Sequence, residues 1–327
     1  MPVITLYHPN FTDGSLPLTM APLKENNKLK MIRLKLVIAI FLLGATIWIV
    51  VGLIDLTALI NAFGSLPSRT MLVVFLLGAT SWFLRGLRTW ILFEEVPLVD
   101  SLGISFVHNT ANNLAPMRLG ELLLPAMARW IGNVKFSVGL TGLLWIRLLD
   151  FISLISITIC IMLLPSVGTI MLAILATLIF LTPLLLTLVV PKIQHIRLPP
   201  LLEDVRDQLI YEVKNDRRLR RMWRLTILAW LAKIAGMGIL LAALSGIPMT
   251  DLMATILGAE LSSILPIHGL AGAGSYEMGG VLASALVGLS PILALEITIQ
   301  LHIYVLSLTV VFGILGVLLL LKRTFHV

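Results

Sequence analysis

Residues Asn112–Glu121 read N-N-L-A-P-M-R-L-G-E, and Pro266–Gly280 read P-I-H-G-L-A-G-A-G-S-Y-E-M-G-G. Each stretch interrupts a long apolar segment and places polar and charged side chains at the interruption. Pro116 removes a backbone donor and stops a helical arm, and Gly120 permits close packing beside it. The chain as a whole is 58% apolar and 13% charged, with a mean hydropathy of +1.01, where soluble domains carry about 25% charged residues. The surroundings of both interruptions are therefore hydrocarbon rather than water. Irregular backbone at that depth must find partners, so the two stretches mark places enclosed by protein or lining a wet cavity.

Working outward, apolar segments at 36–54, about 70–93, 136–164, 167–190, 225–244 and 291–321 each suit a crossing of about 20 residues. The first follows Lys24, Lys28, Lys30, Arg33 and Lys35 and is too long for the apolar part of a cleaved signal peptide. The interrupted segments near 101–130 and 250–289 have arms too short to cross and read as re-entrant hairpins. The expected fold is all-α: a polytopic membrane protein with six full spans, two re-entrant helical hairpins and an inverted-topology repeat. Its parts are a cytoplasmic tail (1–35), a first span (36–54), repeat A (70–164), a fourth span (167–190), a basic interfacial segment (191–224), repeat B (225–321) and a cytoplasmic end (322–327).

With both termini in the cytoplasm, 20 of the 24 lysines and arginines fall at cytoplasmic ends and loops, as expected for a multi-pass protein of the cell (inner) membrane. This count treats Arg85 and Arg88 as snorkelling from a span end, and Lys233 is read in the same way. The cluster Arg217, Arg218, Arg220, Arg221 and Arg224 reads as a topology signal, with anionic lipid head groups as an alternative partner. The net charge of +7 is thereby explained by topology rather than by nucleic acid. A single cysteine, Cys160, excludes an intrachain disulfide, and six histidines beside it offer no metal-ligand spacing, so neither metal nor cofactor is expected.

The two halves match in order. V-P-L-V-D-S at Val96–Ser101 pairs with I-P-M-T-D-L at Ile247–Leu252, and both aspartates, Asp100 and Asp251, suit helix N-caps. Pro116 follows Pro97 by 19 residues and Pro266 follows Pro248 by 18. Next come Glu121 and Glu277, then Arg147 and His302 at 26 and 25 residues beyond them. Inverted repeats with broken helices are a construction of secondary transporters.

The candidate binding residues are Asn109, Asn112, Asn113, Arg118 and Glu121 at the first interruption, Arg147 and Asp150 in the span that follows, and His268, Ser275, Glu277 and His302 in the second half. The Arg118 guanidinium offers a fork of donors to phosphate or carboxylate, or else locks onto Glu121. Arg147 and Asp150 share a helix face near mid-membrane, where a charge is costly, and they form either part of the site or a structural ion pair. Glu277, with Glu260, Glu296 and His302, could carry a coupling proton.

N-N-L-A-P-M-R-L-G-E followed by I-R-L-L-D resembles the lysylphosphatidylglycerol synthase transmembrane, or flippase-like, family of prokaryotic membrane proteins. That family includes the flippase part of multiple-peptide-resistance proteins and hopanoid-associated membrane proteins. The resemblance covers about Thr70 to Leu321. The glycine loop ending at Glu277 is similar to the family's Pro-Gly-Gly-x-Gly-x-x-Glu region but reads H-G-L-A-G-A-G-S-Y-E, and His302 stands where many members carry arginine. The resemblance implies lipid translocation or lipid-linked glycan handling.

The leading expectation is a flippase-type transporter, not an enzyme, that moves a membrane lipid with an anionic head group, or a polyprenyl-linked or hopanoid lipid, between leaflets. No G-x-x-x-x-G-K-[ST] occurs, so ATP hydrolysis of its own is not expected. One alternative is a non-transporting subunit presenting lipid to a biosynthetic partner protein. Another is an intramembrane serine hydrolase using Ser275 and His302.

Overall fold

The computed structural model describes residues 56–163, 169–195, 200–264 and 269–324. The expected first span and N-terminal tail therefore lie outside the described residues, as does His268. Every regular element described is helical: α1 (Leu56–Gly64), α2 (Ser68–Leu92), α3 (Leu98–Leu114), α4 (Leu123–Gly132), α5 (Phe136–Leu163), α6 (Thr169–Val189), α7 (Pro200–Lys214), α8 (Asp216–Ser245), α9 (Met249–Ile264), α10 (Ser275–Ser284) and α11 (Pro291–Thr324). Four of them, α2, α5, α8 and α11, are long and apolar enough to cross a membrane. Their outer faces stay apolar: Leu72, Phe75 and Leu76 on α2 and Ile314, Val317 and Leu318 on α11 are exposed, as lipid-facing side chains are.

Between these long helices the interruptions produce two pairs of short ones. After α3 the chain tightens into a 3-10 segment, Pro116–Leu122, before α4. Ala115 leaves the helical region because a residue before proline is pushed to extended geometry, and its ψ is 136°. Gly120 then passes so close to α3 that a Cβ there would lie 2.5 Å from the carbonyl oxygen of Ala111. In the second pair, α9 and α10 fold back against each other along their length. Gly258 and Gly279 face across that seam, so the glycines beyond Glu277 serve packing.

The halves exchange partners. Helix α2 packs along α8, and α3 packs along α11, where Gly313 and Gly316 let the backbones approach. Trp82 of α2 stacks on Phe312 of α11 at 5.0 Å, with Phe106 of α3 edge-on to both. This arrangement brings the 116–122 segment into contact with the 3-10 turn Leu270–Gly272, so the two breaks meet inside the protein.

Two local expectations are corrected. Asp100 and Asp251 are not N-caps. Pro97 occupies that position for α3, and both aspartates sit in the first helical turn, where their charge faces the positive end of the helix. The basic segment, whose sequence from Pro199 to Arg224 suits one helix lying at the cytoplasmic interface, is also not a single helix. It breaks at Asn215, whose side chain accepts from Arg218 N (3.2 Å), and the arginine cluster opens α8 itself, nine residues before the apolar run begins. Arg218 further donates to the carbonyl oxygen of Leu92 at the end of α2 (2.5 Å), so one member of the cluster is a structural clamp.

At Gly279 a Cβ would lie 2.6 Å from the carbonyl oxygen of Gly258. Gly279→Val should therefore destabilise the α9–α10 pair by about 1–3 kcal/mol. Thermal unfolding in detergent, followed by size-exclusion chromatography, should show a lower midpoint for this variant. Gly64→Ala, with nothing within 4 Å, should leave it unchanged.

Candidate functional site

Asp150, on α5, is 4% exposed and organises the polar interior. An isolated carboxylate at such a position is costly to ionise unless partnered. Its main partner is Arg88 of α2, which grips it with a two-pronged fork: Nη1 to Oδ1 at 2.7 Å and Nη2 to Oδ2 at 3.1 Å. Trp230 of α8 adds Nε1 to Oδ1 at 3.1 Å, and Thr226 Oγ1 accepts from Arg88 Nη1 at 3.0 Å. Three helices are thereby tied at one carboxylate. Arg147 and Arg85 stand farther off, at 3.8 and 4.0 Å.

This overturns the snorkelling expectation for Arg85 and Arg88. Arg88 is 3% exposed, and Arg85 lies with its guanidinium 4.8 Å from the centre of the Trp230 ring, a cation–π distance. Lys233 is corrected in the same way: its Nζ is 2.6 Å from Glu260 Oε2 and 5.3 Å from the centre of the Trp230 ring. Tyr276 Oη donates to the remaining oxygen of Glu260 at 2.9 Å.

Around Glu121 the expected residues do come together. Arg147 Nε is 3.1 Å and Arg118 Nε 3.4 Å from Glu121 Oε1, so the carboxylate is shared by two guanidinium groups. Arg118 adopts a left-handed backbone, φ 55°, which turns its side chain across to the other half. There Nη1 donates to the carbonyl oxygen of Ile264 (2.8 Å), one of the orphan acceptors at the end of α9. His108, which the sequence did not single out, supports Arg147: its Nε2 is 3.5 Å from Arg147 Nη2, and its Nδ1 is 3.2 Å from the carbonyl oxygen of Gly120. A guanidinium only donates and a carbonyl only accepts, so this imidazole is assigned the neutral Nδ1–H form.

These side chains enclose a cavity of about 50 Å³ between the halves. Asn109, Asn112 and Asn113 line one wall and Arg85, Arg118, Arg147 and Lys233 the rest, with Asp150 and Glu260. Four cations against two carboxylates leave an excess of two positive charges, and adding Arg88 and Glu121 just behind the wall does not change it. Asn112 is 5% exposed, and its Oδ1 has no partner among the described residues. Asn113 donates to Thr309 Oγ1 (2.9 Å), tying this wall to α11.

Glu277 and His302 form a separate pair at 2.5 Å, reached from the cavity through Glu260 and Lys233. Ser275 Oγ donates to the carbonyl oxygen of Gly272 (3.1 Å), while the His302 nitrogens face Glu277 and the carbonyl oxygen of Ala271 (2.8 Å). A serine and its base are therefore not hydrogen-bonded to each other here. Among the described residues no group of three His, Cys, Asp or Glu side chains is arranged to hold a metal ion.

Long apolar helices wrapped around a charged interior define a multi-pass α-helical membrane protein. The chain belongs to the family described as the lysylphosphatidylglycerol synthase TM region, whose model matches residues 33–313, a membrane domain associated with lipid handling. No curated protein and no solved structure matches the chain.

Breaking the Arg88–Asp150 pair from one side leaves a buried charge. Arg88→Leu and Asp150→Leu alone should each cost about 3–5 kcal/mol, whereas the double replacement should recover much of that loss. Chemical denaturation in detergent would show this as strong non-additivity, and additive losses would contradict the pairing.

Proposed function

We propose that this chain is a flippase-type lipid carrier that moves a lipid with an anionic head group between leaflets without ATP hydrolysis of its own. The observation that supports this most is the cationic excess around an asparagine-lined cavity between the two halves. Charged groups inside a membrane protein are rare and mark substrate paths. Guanidinium forks match the planar, multi-oxygen face of phosphate and carboxylate. The lipid's anion would take the place opposite Arg118, Arg147 and Lys233, with the side-chain amides of Asn112 and Asn113 donating to its remaining oxygens, while Asn109 is held by Ser105. Its tails, polyprenyl, hopanoid or diacyl, would stay in the bilayer.

Alternating access in this reading comes from an inverted repeat. The α3–α4 and α9–α10 pairs act as re-entrant hairpins entering from opposite sides, and α2 with α5 and α8 with α11 are the spans that frame them. The matched Glu121–Arg147 and Glu277–His302 pairs support that correspondence, since each glutamate meets the basic residue of its own half at 3.1 and 2.5 Å. The breaks touching each other support a shared central site. Both termini lie in the cytoplasm of a cell whose inner membrane holds the protein. We read the chain as a carrier rather than an enzyme, because the arrangement around His302 supports no serine nucleophile.

The purified protein should move a fluorescent phosphatidylglycerol between leaflets of proteoliposomes. Arg118→Ala or Arg147→Ala removes a charge-assisted hydrogen bond to the head group worth about 1.5–3 kcal/mol, so the rate should fall by roughly 10- to 100-fold. Rates equal to the parent protein's in both variants would overturn this reading.

A further inference from the structure

The two halves are built alike but are not electrically alike. Glu121 meets a guanidinium, Arg147, and Glu277 at the matching position meets an imidazole, His302. A guanidinium keeps its proton throughout the physiological range, whereas imidazole is the side chain whose ordinary titration falls between about pH 5 and 8.

The hydrogen bonds around His302 fix the number of protons in the pair. Nε2 lies 2.8 Å from the carbonyl oxygen of Ala271, which only accepts, so Nε2 carries a hydrogen. Nδ1 lies 2.5 Å from Glu277 Oε1, and a second hydrogen must sit between them, on the imidazolium or on the carboxylic acid. Without it two lone pairs would face each other at that distance. The closed arrangement therefore holds one proton more than a neutral imidazole beside an ionised carboxylate.

That proton fastens a loop. Glu277 Oε2 accepts from Gly274 N (2.8 Å), so the same carboxylate ties down the start of α10. Ala271, Gly272 and Gly274 have φ of 53°, 83° and 84°, and Ala271, with a Cβ, is held in this unfavourable region while its carbonyl is bonded to His302.

Among the described residues, several packed neighbours contribute to the setting. From α10 the Tyr276 ring lies 4.7 Å from the imidazole, and through its hydroxyl stands Glu260 of α9. Lys233 of α8 pairs with Glu260, and Asn113 is the polar contribution of α3. Arg118 stands on the 116–122 segment that touches the loop, and Glu296 lies farther along α11. A cavity of about 40 Å³ between His302, Tyr276, Glu260, Lys233 and Asn113 has room for water. Lys233, Glu260 and Asn113 also line the anion cavity, so the two sites share a wall.

We propose that Glu277–His302 is a one-proton site that couples lipid movement to a proton gradient. A proton taken from water forms the Nδ1–H–Oε1 link and pins residues 269–274 to α11. Its return to water opens the link and frees the second half to change conformation, while Arg147–Glu121 stays closed. The coupling rests on the carrier reading above, whereas the proton site itself does not.

Two measurements on the full chain separate these parts. In detergent, with Cys160 replaced by alanine, a cysteine at Leu270 is labelled with maleimide and its rate divided by that of a cysteine at the exposed Asp207, which cancels thiol ionisation. The ratio should rise several-fold from about pH 5.5 to about pH 8 and stay flat in His302→Arg and His302→Gln. A ratio that is flat with His302 present, or still pH-dependent in both variants, overturns the proton site. In proteoliposomes carrying fluorescent phosphatidylglycerol, a pH gradient should change the rate several-fold for the parent and not for the variants. Movement indifferent to the gradient overturns the coupling alone. No movement under any condition overturns the carrier reading and the coupling with it, while the labelling ratio still decides the proton site.

Discussion

One ion pair sets the terms for everything around it. Asp150 and Arg88 satisfy each other through two parallel hydrogen bonds at 2.7 and 3.1 Å, deep between α2, α5 and α8. Either charge left without the other in that setting would be costly. Because Arg88 saturates Asp150, Arg85 and Arg147 are left at 4.0 and 3.8 Å from the carboxylate and face the cavity instead. The positive excess available to an anion is thus a consequence of how the structural pair is made. Trp230 completes the device, donating to Asp150 while its ring carries the Arg85 guanidinium.

The second constraint is the meeting of the two helix breaks. A helix that ends inside the protein leaves carbonyl groups without partners. Arg118 reaches from one half to bond the carbonyl oxygen of Ile264 in the other, and His302 does the same for Ala271 within its own half. Polar side chains at the breaks therefore hold the backbone that makes the site possible, and the donors they have left over face the cavity. Structural roles and the binding roles proposed above fall on the same side chains, which is why sequence alone left both readings of Arg118 open.

Much of this was legible in the sequence. The proline and glycine signals located both breaks, and the near-equal spacings matched Glu121 to Glu277 and Arg147 to His302; that each glutamate touches the basic residue of its own half is what the structure adds. Arg88 and Lys233 were misread because snorkelling was inferred from closeness to the end of an apolar run. That rule sees only a side chain's own helix. Arg88 finds its partner 62 residues away and Lys233 finds Glu260 27 residues away, and neither separation has a periodic signature. Hydropathy also marks the edge of the hydrocarbon rather than the end of a helix. The charged turns that begin α8 at Asp216 were consequently assigned to a separate element, although Leu219, Met222 and Trp223 already bury an apolar face there.

The most direct measurement is a structure of the protein in lipid nanodiscs containing phosphatidylglycerol. Head-group phosphate density within hydrogen-bonding distance of Arg118, Arg147 or Lys233, in the cavity between the two breaks, is the expected result. Head groups ordered only around the outer apolar faces, with Arg147 turned fully onto Asp150 and the cavity closed, would contradict an anion site at the centre of this fold.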